Sequence, residues 1–242
     1  MIESGLYLVA TPIGNLGDIT ERAKDVLSSV DLILAEDTRH SGKLLNHLGI
    51  KKEMQSFNDF NKEKRTPGVL RFLKEGKSVA LISDAGTPGI ADPGFYLVRE
   101  AHGEGIYLSV LPGACAFISA LVISGMPTDH FYFGNFPPKK SAQRLRHLEQ
   151  FKEAFGQDFK WAPTLGFYIG AKQVTKFIGE ISQVFGSSIR VVLVRELTKI
   201  YEEVLDKSAG DYAEYYKERN PKGEFVLFFH PQNKGIKNFK SD

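Results

Sequence analysis

Residues 79–94 read VALISDAGTPGIADPG, an apolar strand pattern followed by a run of glycine, proline, alanine and short polar residues. The glycines and prolines of this run permit or fix backbone dihedral angles that other residues rarely adopt. A simple connecting loop does not need such residues. In an open α/β sheet, ligands bind just outside the carboxyl ends of the strands. The stretch therefore predicts a shaped binding loop at the end of a strand in an α/β sheet.

Two further segments repeat this arrangement. The strand pattern at 6–10 (LYLVA) leads into 11–20 (TPIGNLGDIT), and the one at 107–111 (YLSVL) leads into 112–116 (PGACA). Neither is the G-x-G-x-x-G or the P-loop fingerprint. Each loop taken alone fits a tight strand-to-helix turn without a ligand, whereas three loops at equivalent positions favour a shared site.

The composition is that of an ordinary soluble globular protein, with 42% apolar and 25% charged residues in a chain of 242. No apolar run approaches the roughly 20 residues that span a bilayer, and the N-terminus has a strand pattern where a signal peptide would lie. A lone Cys115 excludes an internal disulfide and is typical of a reducing cytoplasm. We interpret it as a small packing residue rather than a nucleophile.

Apolar strands alternate with amphipathic helices along the chain, which predicts a mostly parallel sheet in the first half. Strands are predicted at 6–10, 31–35 and 78–82, with Pro67 opening a helix between the last two. The prolines of residues 134–140 (GNFPPKK) indicate a linker. A second alternating unit follows, with predicted helices at 141–155, 172–183 and 208–217 and strands at 164–168, 189–195 and 224–229.

The predicted fold is therefore two α/β domains in series, residues 1–134 and 135–242, with a ligand-binding cleft between them. We expect residues from Pro231 onward to form a frayed basic tail.

Several strings, in chain order, resemble the ribosomal RNA small subunit methyltransferase I family of the tetrapyrrole methylase superfamily. They are 6–20 (LYLVATPIGNLGDIT), 35–39 (AEDTR), 83–94 (SDAGTPGIADPG), 111–116 (LPGACA), 125–129 (GMPTD), 195–199 (RELTK) and 221–227 (PKGEFVL). They span nearly the whole chain, and the first and third together form a strong signature.

The resemblance implies a homodimeric, non-Rossmann methyltransferase that binds S-adenosylmethionine in its cleft and methylates the ribose 2′-hydroxyl of a cytidine in 16S ribosomal RNA. The first domain would form the acceptor side, and the second would enclose the donor. The donor contacts that it implies are Pro12, Gly14, Asp84, Gly86, Thr87, Ile90, Ala91, Cys115 and Ala116, with Phe167, Leu197, Pro221, Lys222 and Gly223 around the adenine.

Two stretches depart from the family pattern. Residues 57–61 read FNDFN where the family has a string like F-H-E-H-N, and residues 167–173 read FYIGAKQ where it has one like F-Y-E-S-P-H-R. The lost polar groups leave the donor site intact and the identity of the target nucleotide open.

Methyl transfer to a ribose hydroxyl is helped by a base that removes the hydroxyl proton. Asp37, just after the strand at 31–35, is the first candidate and Glu36 the second, while Arg39 has the planar fork that clamps phosphate. The alternative is a helix N-terminus at which these carboxylates only favour the dipole.

Basic residues around the linker are candidate contacts to an RNA backbone, namely Lys139, Lys140 and Arg144. A solvated helix face is the alternative for such a run. The six histidines show no ligand spacing, so no metal site is predicted.

Three functions therefore remain open at this stage. The first is an RNA 2′-O-methyltransferase. The second keeps the donor site but methylates a small acceptor such as a tetrapyrrole, which AEDTR and RELTK disfavour. The third is a homologue that binds ribosomal RNA without methylating it, suggested by the two altered stretches.

Overall fold

The structure is a computed structural model that describes residues 2–156 and 159–233. Most of the predicted basic tail lies outside these residues. Contacts within the chain separate it into two units, residues 1–115 and 116–242. The sequence analysis expected the boundary near residue 135, after the strand at 131–133. The two positions differ because that strand pairs within the sheet of the second unit.

The first unit contains a parallel five-stranded sheet with the strand order β3-β2-β4-β1-β5. Its strands are β1 (Gly5–Val9), β2 (Leu32–Ala35), β3 (Met54–Ser56), β4 (Ser78–Ile82) and β5 (Leu108–Leu111), and its helices are α1 (Glu21–Ser29), α2 (Thr38–His47), α3 (Lys62–Lys74) and α4 (Phe95–Gly103). Every pairing in this sheet is parallel, as the alternating pattern predicted.

Both faces of the first sheet are covered. Along β4, Ala80 and Ile82 pack with the apolar side of α1, whereas Val79 and Leu81 pack with α3 and α4. Alternate residues of a strand point to opposite faces, so a continuous apolar run supplies two cores at once. This explains why β2 and β4 are buried along their whole length.

The second unit contains a mixed five-stranded sheet in the order β6-β7-β10-β8-β9. Its strands are β6 (Phe131–Phe133), β7 (Thr164–Gly170), β8 (Arg190–Arg195), β9 (Glu203–Ser208) and β10 (Glu224–Phe229), and its helices are α5 (Ala116–Ile123), α6 (Ser141–Ala154), α7 (Val174–Phe185) and α8 (Ala209–Tyr215). Only β6 and β7 are parallel, and the other three pairings are antiparallel. One hydrophobic core joins this sheet to its helices.

One helix start was wrong, because α3 begins at Lys62 and holds Pro67 inside it. Hydrogen bonds stabilise the turn before the proline: the Lys62 N–H donates to the Asn58 carbonyl at 2.9 Å, and the buried Thr66 hydroxyl donates to the Lys62 carbonyl at 2.7 Å. These bonds begin the helix five residues before the proline that the sequence marked as its start.

Among the described residues, no helix combines the length and apolar character that crossing a membrane requires.

Candidate functional site

The strand order places the three glycine- and proline-rich loops side by side. Strand β1 lies between β4 and β5, and all three run in the same direction. The loops that follow them, residues 83–94, 10–20 and 112–115, therefore leave the same edge of the sheet. This confirms the arrangement that the repeated strand-and-loop pattern predicted.

Hydrogen bonds connect these loops directly. Thr11 and Gly86 exchange two backbone bonds, N–H to O=C, at 2.9 and 3.0 Å. The buried Thr11 hydroxyl donates to the Ser83 carbonyl at 3.3 Å, and the Thr87 hydroxyl donates to the Ala114 carbonyl at 3.1 Å. The loops after β1 and β5 are thus both attached to the loop after β4.

Two glycines permit the close approach of these loops. Gly86 has a φ of +83°, and a Cβ there would lie 3.3 Å from the Ile13 side chain. At Gly113 a Cβ would lie 2.9 Å from the Cβ of Ala10, closer than real side chains come. Larger residues would push the loops apart, so glycine has a structural reason at both positions.

The other predicted donor contacts of the first unit lie on these same loops. Pro12 and Thr87 are half-buried, whereas Gly14, Ile90 and Ala91 are exposed. Ala91 adopts a φ of +66°, which is uncommon for a residue with a side chain. The half-buried Cys115 ends the third loop, and Ala116 is the first residue of α5.

A group of carboxylates lies where β2 and β4 end. Burial raises the pKa of Glu36 above its usual range, and the charge of Asp84 adds to this rise. Burial likewise raises the pKa of Asp92 to about 6, with the charge of Glu36 as the next cause. Asp84 accepts a hydrogen bond from the Asp37 N–H at 3.1 Å. Within the described ranges no such group has the makings of a metal site.

Asp37 and Arg39 are engaged with each other. The Asp37 side chain caps α2 by accepting from the Arg39 N–H at 2.9 Å, and it pairs with the Arg39 guanidinium at 2.7 Å. The hydrogen bonds from Arg39 hold the pKa of Asp37 well below its usual range. The helix-cap alternative therefore describes Asp37, and a carboxylate of lowered pKa is a poor proton acceptor at neutral pH.

Two turns of the second unit are bound together. The Glu196 carboxylate accepts from the Glu224 N–H at 2.8 Å, and the Arg195 side chain donates to the Lys222 carbonyl at 2.7 Å. A Cβ on Gly223 would lie 2.7 Å from the Glu196 side chain. The structure thus brings the predicted residues Leu197, Pro221, Lys222 and Gly223 into one neighbourhood.

Other predicted residues have structural surroundings of a different kind. Phe167 is only 5% exposed and packs against Phe177 and Phe229 in the core, which leaves little of its ring for a ligand. Arg144 is 4% exposed and pairs with Glu180 at 2.6 Å, so the prediction that it contacts RNA is not retained. Lys139 and Lys140 are exposed, as a role in RNA binding requires.

Sequence reasoning missed two residues of interest. From the sequence, Asp92 is interpreted as a residue that caps a turn or accepts hydrogen bonds from the donor, and only the folded structure places its carboxyl near other carboxylates. Thr198 lies in a turn where both it and Glu196 have positive φ, and its hydroxyl is buried with no hydrogen-bond partner among the described residues. The string RELTK drew attention to this segment. No sequence pattern shows, however, that the Thr198 hydroxyl lacks a hydrogen-bond partner among the described residues.

The first altered stretch, residues 57–61, forms a turn after β3 that side-chain hydrogen bonds stabilise. Phe57 is buried, while Phe60 is 99% exposed. The Asn58 side chain accepts from the Phe60 N–H at 3.1 Å, and the Asn61 side chain accepts from the Asn58 N–H at 2.9 Å. The two asparagines therefore keep a defined turn in place of the polar family string.

Comparison with known proteins agrees with this fold. The family model of tetrapyrrole (corrin/porphyrin) methylases matches residues 5–213. Among solved structures, diphthine synthase has a TM-score of 0.68 at 13% identity, covering 93% of this chain and 88% of the other. Uroporphyrin-III-C-methyltransferase from Thermus thermophilus has a TM-score of 0.62 at 20% identity, covering 95% and 96%. At these identities the likeness shows a shared fold, that of the tetrapyrrole methylases.

Sequence relatives are more specific. The ribosomal RNA small subunit methyltransferase I of Haemophilus influenzae is 44% identical over 96% of this chain and 81% of its own length. That of Escherichia coli O157:H7 is also 44% identical, over 92% of this chain and 76% of its own. The chain therefore belongs to the ribosomal RNA small subunit methyltransferase I family, within the tetrapyrrole methylases. This confirms the resemblance found in the sequence and the predicted class, a methyltransferase that uses S-adenosylmethionine.

Proposed function

We propose that this protein transfers the methyl group of S-adenosylmethionine to the 2′-hydroxyl of a cytidine ribose in 16S ribosomal RNA. The observation that carries the proposal is the joining of the three loops at one sheet edge, beside the half-buried Glu36. A donor held by such loops and a carboxylate of raised pKa next to it are what methyl transfer to a hydroxyl requires. Family membership names the class of RNA.

The loops of the first unit fit the donor chemically. Gly86 permits the close approach of the loops after β1 and β4, and the Asp84 carboxylate is suited to the ammonium or ribose hydroxyls of S-adenosylmethionine. In the second unit, the unpartnered Thr198 hydroxyl beside Leu197 is a buried group that needs a hydrogen-bond partner. We include Thr198 with the predicted donor contacts Leu197 and Gly223.

The donor supplies an already activated methyl group, so the protein has to orient the acceptor and remove one proton. Orientation of two reactants is worth about 7–11 kcal/mol of barrier. Glu36 accepts the hydroxyl proton as the ribose oxygen forms its bond to the methyl carbon and the carbon–sulfur bond breaks. What supports Glu36 over Asp37 is its raised pKa, whereas Asp37 caps α2 and pairs with Arg39.

The test is a transfer assay with labelled S-adenosylmethionine and either 30S particles or free 16S RNA. We expect the label in the RNA, on a ribose 2′-oxygen. Methylation of that oxygen makes the adjacent phosphodiester bond resistant to alkaline hydrolysis. Label in a tetrapyrrole precursor alone supports the small-molecule alternative, and RNA binding without label supports the binding-protein alternative. Either result contradicts the proposal.

Two variants assign the base. Glu36→Gln keeps the shape of the side chain and should lower the transfer rate by about 10²–10⁴-fold. Asp37→Asn is the matched control, since it removes the neighbouring charge and weakens a helix cap instead. If Asp37→Asn abolishes transfer while Glu36→Gln does not, Asp37 is the base, as first predicted.

Association with the ribosome and with a second copy of the chain is part of the proposal. Arg39, Lys139 and Lys140 are exposed cations suited to RNA phosphates, and a ribosomal substrate implies a cytoplasmic enzyme. For the homodimer, support comes from α5, on which Val122 is 71% exposed beside the exposed Ile118 and Ile123. Sedimentation analysis should give twice the chain mass, and Val122→Glu should shift it toward the monomer.

A further inference from the structure

A cavity of about 570 Å³ opens on the surface of the second unit where the residues before α6 approach the start of α7. Its cationic lining consists of Lys139, Lys172 and Lys176, together with the paired Arg144. The glutamines Gln173 and Gln183 add amide groups to the same wall. None of the three lysines was assigned to the donor site, and two of them were not singled out in the sequence.

The charge of this cavity is uncompensated. The one carboxylate in its lining, that of Glu180, is bonded by the Arg144 guanidinium at 2.6 and 2.7 Å. Within residues 2–156 and 159–233, no ion pair or side-chain hydrogen bond involves the ammonium groups of Lys139, Lys172 and Lys176. The cavity therefore presents three positive charges that have no protein partner in the part of the chain described.

Hydrogen bonds hold the backbone beneath these charges. Arg144 also donates to the carbonyls of Pro138 and Lys139, at 3.0 and 2.8 Å, and the Ser141 hydroxyl donates to Glu180 at 2.6 Å. These bonds fix the backbone that carries Lys139 against α7, which carries Lys176 on its exposed side. Arg144 is thus a positioning residue for the cations rather than a contact itself.

We propose that this cavity, which we call the lysine groove (Lys139, Lys172 and Lys176), binds the phosphodiester backbone of the RNA substrate. Ammonium groups bind phosphate as point charges and read no sequence. An open surface with several free cations and glutamine donors suits a polyanion that passes across it. This inference rests on the proposed function for the identity of the polyanion.

The experiment measures RNA affinity at several salt concentrations. Each phosphate neutralised adds about 0.7 to the slope of log K against log[salt] for a single strand and about 0.9 for a duplex. The triple variant Lys139→Gln, Lys172→Gln, Lys176→Gln should therefore lower the slope by about 2 or more. The RNA is a 16S fragment from the small subunit, and donor binding measured by calorimetry should stay as in the parent protein.

A second triple variant has the same loss of charge elsewhere: Lys24→Gln, Lys74→Gln, Lys217→Gln, three lysines that already pair with surface carboxylates. We expect its slope to remain close to that of the parent. Equal slopes for both triple variants, or a parent protein that binds no RNA, overturn the lysine groove. Melting curves of both variants verify that each is folded.

Failure of the groove and failure of the proposed function give different results. If the parent protein methylates 16S RNA but the groove variant keeps the parent slope, only the groove is contradicted. If the parent binds RNA with a slope that the groove variant loses, yet transfers no methyl group to it, the groove stands and the methyltransferase proposal on this RNA fails.

Discussion

The pKa of Asp92 shows how the surroundings change the properties of one side chain. It lies in the loop after β4, half-buried, and its pKa of about 6 reflects burial first and the charges of Glu36 and Asp84 next. A carboxyl whose pKa is raised on folding binds a proton more tightly in the folded than in the unfolded state. Its charged form therefore opposes folding, and the opposition is complete once the pH exceeds about 6.

We predict that Asp92→Asn stabilises the protein at pH 8 and has little effect at pH 4. Asparagine keeps the shape and the hydrogen-bonding oxygen while removing the charge. A rise of about two pKa units corresponds to about 3 kcal/mol, and solvent screening at a half-buried group reduces this to about 1–2 kcal/mol. Urea unfolding at both pH values measures it. A variant that is destabilised equally at pH 4 and pH 8 would show that hydrogen bonds at this position outweigh its charge.

Gly86 carries a second prediction at this scale. Alanine there must adopt a φ of +83° and lie close to Ile13, so Gly86→Ala should cost about 1–3 kcal/mol of folding free energy and weaken donor binding. Gly49 is the matched control, with a φ of +69° and open space around it. Gly49→Ala should share the backbone cost and leave donor affinity as it is. Equal donor affinity for both variants would remove Gly86 from the donor site.

Sequence patterns predicted some of the strands accurately and missed others. Strands β2, β4 and β10 were located closely, because continuous apolar runs of that length have few other structures available. Strands β3 and β9 were missed: the first has three residues, and the second (EVLDKS) is mostly polar and is stabilised by antiparallel pairing with β8. That pairing depends on the neighbouring strand, and the residue pattern within β9 alone does not contain it.

The packing of α6 against α7 shows that prediction from the sequence has the same limit at the candidate site. Arginine is mostly exposed in proteins, so Arg144 was predicted to face RNA. Its partner Glu180 lies on the next helix, and only the packing of the two helices buries both. In the first unit, by contrast, the loops after β1, β4 and β5 were located from the sequence alone, because strands of a parallel sheet end at one edge.

Breaking the Arg144–Glu180 pair should be strongly destabilising. Arg144→Ala leaves a buried carboxylate without its cation, at a cost of about 3–5 kcal/mol. Replacing both residues by apolar side chains of similar size, Arg144→Met with Glu180→Leu, should recover most of this loss. Denaturant unfolding of Arg144→Ala, of the single variants Arg144→Met and Glu180→Leu, and of the double variant that combines the last two provides the measurement. A double variant whose loss equals the sum of the single losses would show that the two residues act independently.

At the scale of the whole molecule, each unit has its own hydrophobic core and its own group of proposed donor contacts. The proposed base Glu36 belongs to the first unit, and the lysine groove belongs to the second. The lysine groove shares no residue with the proposed donor contacts, so substitutions in the groove leave the residues of the donor site unchanged.

The intact protein should become more stable when the donor is added. Binding to the folded state at 100 times Kd contributes about 2.7 kcal/mol, which for a chain of this size raises the melting temperature by about 5–10 °C. Scanning calorimetry with and without S-adenosylmethionine measures the shift. Methionine and adenosine added together at the same concentration form the control and should give a much smaller shift. An unchanged melting temperature with the donor would contradict a donor site in this protein.

The two bonds between Thr11 and Gly86 join peptide groups rather than side chains. These two bonds do not depend on neighbouring side chains, provided that each peptide keeps its amide hydrogen and that residue 86 remains glycine. Substitution of the carboxylates beside them therefore leaves these two bonds between the loops in place. Because main-chain bonds help to join the loops that we propose for the methyl carrier, the acceptor side could be redesigned for another alcohol with that connection unchanged.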